Sequence, residues 1–97
     1  MHFAAYCLDG AKGHEIRASE VRTRHLEHLD AGGDMIKFAG PLLNAAGVAI
    51  GSLIILEVED AKAAWAFLDK DPYALAGLFE RIDLRGVKPV KGTWVAD

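Results

Sequence analysis

Val48-Ala49-Ile50-Gly51-Ser52-Leu53-Ile54-Ile55-Leu56-Glu57-Val58-Glu59 is the stretch on which the fold turns. Its run of Val, Ile and Leu reads as a β-strand. Successive strand side chains point to opposite faces, so the two parities report on the two sides of a sheet. One parity carries Val48, Ile50, Ile54 and Leu56, with Ser52 as a polar interruption; the other carries Ala49, Leu53 and Ile55. A strand with one face in water alternates apolar with polar residues, and this one does not. Both faces are therefore expected to be covered, one by helices of the same chain and the other by a second copy. The expectation is a homodimer packed sheet against sheet.

The flanking elements are read outward from this strand. His2 to Leu8 has strand length and composition, and Asp9-Gly10 with Lys12-Gly13 marks a loop. Ile16 to Ala31 reads as one amphipathic helix. At about 100° per residue Ala18, Val21, Leu26 and Leu29 share an arc, with Glu20, Thr23, Glu27 and Asp30 opposite. Gly32-Gly33 stops it. Met35 to Ala39 is a second strand, ended by Gly40-Pro41, and Asn44 to Gly47 is a turn. Downstream, Asp60 reads as the N-cap of a helix over Ala61 to Lys70, with an apolar face of Ala61, Ala64, Trp65 and Leu68. Pro72 breaks it and starts a helical turn over Tyr73 to Ala76. Phe79 to Val95 holds one or two further strands, limited by Gly86, Pro89 and Gly92. The order β-α-β-β-α-β is the split βαβ pattern of ferredoxin-like folds, an α+β class with helices on one face of an antiparallel sheet. Residues 1–97 are read as a single domain.

Composition narrows the function classes. The chain is 52% hydrophobic, too apolar for disorder. A net charge of −3 argues against a nucleic-acid footprint, which needs a basic patch. No segment approaches the roughly 20 apolar residues of a membrane span, and no signal peptide opens the sequence. The single cysteine, Cys7, has no partner for an internal disulfide. A cytoplasmic location is expected. No phosphate loop, dinucleotide fingerprint or zinc spacing is present, so neither a cofactor nor a metal is expected.

The residue that points to chemistry is His25, near the middle of the apolar arc of the first helix. Burying an imidazole costs free energy unless its nitrogens find partners. The candidate partner is Asp71, in the turn Asp71-Pro72-Tyr73. Imidazole titrates near pH 6.5 and suits general acid or base work; the competing reading is a core histidine with one backbone hydrogen bond. Arg22 projects onto the same arc, to bind an anion or to reach solvent along the helix edge. His25-x-x-His28 supplies two ligands, too few for zinc. Glycine inside a strand marks a bulge or a close approach, which draws attention to Gly51-Ser52 and to Gly40-Pro41 at a strand end. Ser52 can donate to a substrate or to a catalytic side chain, or be a polar residue on a strand face. Tyr73 lines a pocket or fills core. Cys7 reads as a small apolar strand residue.

The ordered set Arg22-x-x-His25-x-x-x-Leu29, Phe38-Ala39-Gly40-Pro41-Leu42, Gly51-Ser52, Asp71-Pro72-Tyr73 and Ala76-Gly77-Leu78 resembles the YciI-like (YCII-related) family of small α+β-barrel proteins. The resemblance implies a ferredoxin-like protomer, a dimeric α+β barrel, and a pocket centred on a pair formed by His25 and Asp71. It places Arg22, Gly40, Pro41 and Ser52 near that pocket, with Tyr73 beside them. The chemistry it suggests is cofactor-free isomerisation or elimination on a small oxygenated organic anion, of the lyase or dehydrochlorinase type. The alternative is a ligand-binding or accessory module in which the pair is structural.

Overall fold

The computed structural model describes residues 1–93. Four strands, β1 (His2–Asp9), β2 (Ile36–Leu43), β3 (Ala49–Glu57) and β4 (Phe79–Val87), form one sheet in the order β2-β3-β1-β4. Every neighbouring pair is antiparallel. Between β1 and β2 lie α1 (Gly13–Arg17), α2 (Val21–Gly32) and a 3-10 turn (Gly33–Met35). Between β3 and β4 lie α3 (Ala61–Asp69) and the single-turn α4 (Pro72–Leu75). The ferredoxin-like α+β architecture expected from the sequence is present. Phe79 to Val87 makes one strand, and residues 88–93 add none; the rest of the expected strand region, to Val95, and the tail beyond Thr93 lie outside the described residues.

Pairing places Phe3, Ala5 and Cys7 opposite Leu56, Ile54 and Ser52 on one face of the sheet. That face carries the core: Phe3, Ala5, Cys7, Ile54 and Leu56 pack under Ala64 and Leu68 of α3. Each fully buried aliphatic side chain contributes about 1.5–3 kcal/mol. Asp60 caps α3, its Oδ1 accepting from the Ala63 N–H at 2.9 Å. The face of α3 is rotated from the expected one. Ala64 and Leu68 are buried and Phe67 packs on the core, while Ala61 and Trp65 are exposed.

Leu53 and Ile55 occupy the other face, beside Tyr6 and Phe38. The two parities of β3 thus separate as expected, except that Val48 and Ile50, beside the Asn44–Gly47 turn, are exposed. Among the described residues no helix covers the second face at Tyr6 and Phe38, which are 44% and 49% exposed.

Two boundaries differ from the sequence reading, and one glycine has a different cause. The long helix is two helices, interrupted at residues 18–20. The cause is Ser19: its hydroxyl donates to the Ile16 carbonyl at 2.6 Å and accepts from the Val21 N–H at 3.2 Å, ending one helix and starting the next. Consequently Ala18 lies outside both helices, Leu26 is exposed, and His25 is the one buried residue of α2. Gly40-Pro41 does not end β2, which runs on to Leu43 with Pro41 paired to Ser52. As β2 is an edge strand, the missing proline N–H is tolerated. Gly51 answers to a close approach of backbone rather than of a ligand, since a Cβ there would meet the Cys7 carbonyl oxygen.

Candidate active site

Asp71 begins the construction. It is the N-cap of α4, with Pro72 at the first helical position and its Oδ1 accepting from the Tyr73 N–H at 2.9 Å. The same carboxylate grips His25: Nδ1–H donates to Oδ1 at 2.8 Å and to Oδ2 at 2.9 Å. Both side chains are buried, Asp71 to 1% exposure and His25 to 7%. With Nδ1 holding the proton, Nε2 is the ring's acceptor. Among the described residues no buried side-chain nitrogen or oxygen lacks a partner. Nε2 has no protein partner, so it is the ring atom reachable from outside.

The imidazole lies flat on Tyr73, with ring centroids 3.9 Å apart and planes 14° apart. Phe79 meets the Tyr73 ring edge-on at 6.3 Å, which fixes the platform from β4. Burial raises the Tyr73 phenol above its ordinary pKa, with the Arg17 and Arg22 charges acting against it.

A second polar group faces this one, and the sequence reading did not find it. Arg17, the last residue of α1, makes a two-pronged pair with Asp9 at the end of β1: Nε to Oδ2 at 2.6 Å and Nη2 to Oδ1 at 2.9 Å. Nη2 also donates to Ser52 Oγ at 2.9 Å. The guanidinium carbon sits 5.3 Å from the Tyr73 ring centroid. Burial works to lower the Arg17 pKa, but the Asp9 bond and charge outweigh it, and the net shift is upward. Gly13 makes room for the pair, because a Cβ there would lie 2.7 Å from the Asp9 Cβ and 2.8 Å from its Oδ2. Reading Ser19 as a helix start would have split the predicted helix and set Arg17 apart from the exposed face.

Between the two groups is a cleft of about 130 Å³. Its polar lining is Arg17, Arg22, His25, Ser52 and Tyr73; Leu26, Leu29, Ala39 and Ile54 supply the apolar part, and Gly40 and Pro41 of β2 close one side. An apolar cavity of ~150 Å³ suffices for benzene, so the space matches a single ring. Ser52 is buried at 2% exposure, whereas Arg22 is exposed at the rim rather than buried. Of the residues singled out from sequence, Arg22, His25, Gly40, Pro41, Ser52 and Tyr73 therefore line one cleft, and Asp71 supports it from behind.

His25 and His28 do not converge. His28 Nε2–H donates to the Phe67 carbonyl at 2.9 Å, and its ring stacks on Phe67. Among the described residues no three His, Cys, Asp or Glu side chains gather as a metal site. No described helix is long and apolar enough to cross a membrane.

Cys7 is fully buried, and burial with the nearby Asp71 charge pushes its thiol from an ordinary 9.0 up to about 12. It is inert as a nucleophile. Iodoacetamide at pH 8 should leave Cys7 unmodified in the native protein and label it after unfolding. The folded state holds this proton more tightly than the unfolded one, so the stabilisation is intact below about pH 9 and lost as pH rises toward 12. Melting temperatures from pH 8 to 11 should fall more steeply for wild type than for Cys7→Ala, and parallel slopes would refute the assignment.

Comparison with known proteins shows the family. The YCII-related domain matches residues 1–88. Protein YciI of Escherichia coli O6:H1 is 37% identical over 98 residues, covering 93% of this chain and 99% of the relative. Protein YciI of Shigella flexneri matches to the same extent. Among solved structures, 5-chloro-2-hydroxyhydroquinone dehydrochlorinase from Burkholderia phenoliruptrix, in complex with 2,5-dihydroxybenzoquinone, superposes with a TM-score of 0.81 at 28% identity, covering 91% of this chain and 94% of that one. The chain belongs to the YCII-related domain family.

Proposed function

We propose that the protein is an enzyme of small-molecule proton-transfer chemistry, acting on a single-ring oxygenated organic anion. The observation that carries this is the histidine whose Nδ1 is locked by a buried carboxylate, leaving Nε2 as acceptor at a ring-sized cleft. In this reading His25 is the general base and acid, and Asp71 fixes its tautomer and stabilises the imidazolium that forms. Nε2 takes a proton from a ring carbon or hydroxyl. In an elimination the freed electron pair forms the new double bond as chloride or another leaving group departs, and the imidazolium then returns its proton to solvent. In an isomerisation the proton is redeposited on another ring carbon. Either route balances with no electron acceptor, so no redox cofactor is required. Arg22, Gly40, Pro41, Ser52 and Tyr73 form the substrate contacts. The test is chloride release from 5-chloro-2-hydroxyhydroquinone, with proton exchange into deuterated single-ring hydroxy acids measured beside it. Catalysis of either above the buffer rate supports the reading, and catalysis of neither overturns it.

We also propose that the working form is a homodimer joined through the open sheet face. Tyr6 lies at the centre of that face on β1, next to Leu53, and contributes nothing to the helix-side core. Light scattering at micromolar concentration should give twice the protomer mass. Tyr6→Lys should give a monomer with unchanged far-ultraviolet circular dichroism, since burying an unpaired ammonium against a second apolar face is costly. A wild-type protein that is monomeric in the same measurement refutes the dimer.

A further inference from the structure

The cleft holds two guanidinium groups in different electrical states. Arg17 is inside, its side chain 14% exposed, and its charge is matched by Asp9, itself 9% exposed. Its Nε and Nη2 donate to Asp9 and Ser52. Nη1 donates to no described residue, and because no described buried nitrogen lacks a partner, Nη1 carries accessible donors on a residue that lines the cleft. Arg22 is at the exposed rim, with no carboxylate in ion-pair range among the described residues. His25 also lines the cleft, with Asp71 bonded to it from behind, and burial raises the pKa of the nearby Cys7 and Tyr73 so that both stay neutral.

We propose that Arg17 is a specificity-determining residue: as a neutralised donor it selects an uncharged oxygen, carbonyl or hydroxyl, at the buried end of a single-ring ligand whose anionic group sits at Arg22. A carboxylate pushed to the inner end meets the Asp9 charge as well as Arg17, in a region where like charges repel strongly. A neutral oxygen accepts from Nη1 without that opposition. The inference rests on the cleft being the substrate site and adds the ligand class, a ring bearing one anionic group and one separate neutral oxygen.

Calorimetric binding of benzoate, 3- and 4-hydroxybenzoate and 1,4-benzenedicarboxylate tests this without turnover. In the wild type the better hydroxybenzoate should bind about tenfold tighter than benzoate, the usual effect of a hydrogen bond to a charged group. The dicarboxylate should bind more weakly than benzoate. Asp9→Asn keeps an amide oxygen on Arg17 but leaves its charge unmatched, so the dicarboxylate should rise to at least the benzoate affinity. Arg17→Lys keeps the cation and loses the planar fork; the hydroxyl advantage should vanish while benzoate binding stays. Arg22→Gln should weaken all the carboxylates together and preserve their order. A wild type that prefers the dicarboxylate, an Asp9→Asn protein with unchanged order, an Arg17→Lys protein that retains the hydroxyl advantage, or no probe binding at all overturns the proposal. If the probes bind in the expected order but no chemistry is found, the proton-transfer reading falls and this one stands.

Discussion

Asp71→Ala is expected to lower the melting temperature by about 15 °C. Two losses combine. The cap on α4 is worth ~1 kcal/mol, and the His25 N–H left without its acceptor in a buried site costs about 1–3 kcal/mol. In a domain of this size each kcal/mol moves the midpoint by about 4–8 °C. Asp71→Asn separates structure from charge. Its amide oxygen can accept from both the Tyr73 N–H and the His25 Nδ1–H, as the carboxylate does now, so the midpoint should fall by less than half as much. Turnover should fall by at least tenfold, because the imidazolium loses its counter-charge. Thermal melts of the two variants decide the point. An Asp71→Ala protein melting within a few degrees of wild type would show that neither bond matters to stability.

His25→Ala should reduce turnover by about 10² to 10⁴, the usual contribution of a positioned proton-transfer group. It also strips Asp71 of its buried partner, and breaking such a pair costs about 3–5 kcal/mol. Activity loss alone is thus ambiguous. His25→Asn resolves it by placing an amide nitrogen near the Nδ1 position, where it can still donate to Asp71, while removing the acceptor at Nε2. This variant should melt close to wild type and be as inactive as the alanine protein. Added imidazole should restore part of the turnover of His25→Ala by entering the vacated space. Should His25→Asn turn over at the wild-type rate, the imidazole is structural and the proton-transfer role assigned to it falls.

The order of elements was legible because each left a local signature. Both parities of the β3 segment were apolar, Asp60 and Asp71 stood ahead of helical patterns, and paired glycines closed α2. The pairing of His25 with Asp71, 46 residues apart, is not a local property; it was reached by resemblance and by the cost of leaving an imidazole unpartnered. The break at Ser19 was missed because apolar periodicity ran across it, and a side chain bonding its own backbone leaves no trace in that pattern. With the break went the Asp9–Arg17 pair, since Arg17 stood second in a helix expected to run unbroken from Ile16, with nothing in the apolar pattern to turn it inward. The rim position of Arg22 was lost for a related reason. An angle on a helical wheel gives direction but not depth, and the space beneath α2 is a cleft rather than packed core.

Pro41 has a consequence for how copies of this chain can meet. Among the described residues the sheet ends in two margins, β2 and β4. An unprotected margin is a template on which another strand can be laid down, and repetition of that step builds fibrils. Along β2 the backbone lacks one amide at Pro41 and shifts register between Leu42 and Leu43. An incoming strand would find an interrupted row of donors there. Growth by continuous strand addition is thereby discouraged on the margin beside the cleft, which favours closed association through faces over open-ended assembly through edges. Replacing Pro41 with valine, a strong strand former, should speed the appearance of thioflavin-positive aggregates under mild heating while leaving the soluble fold unchanged.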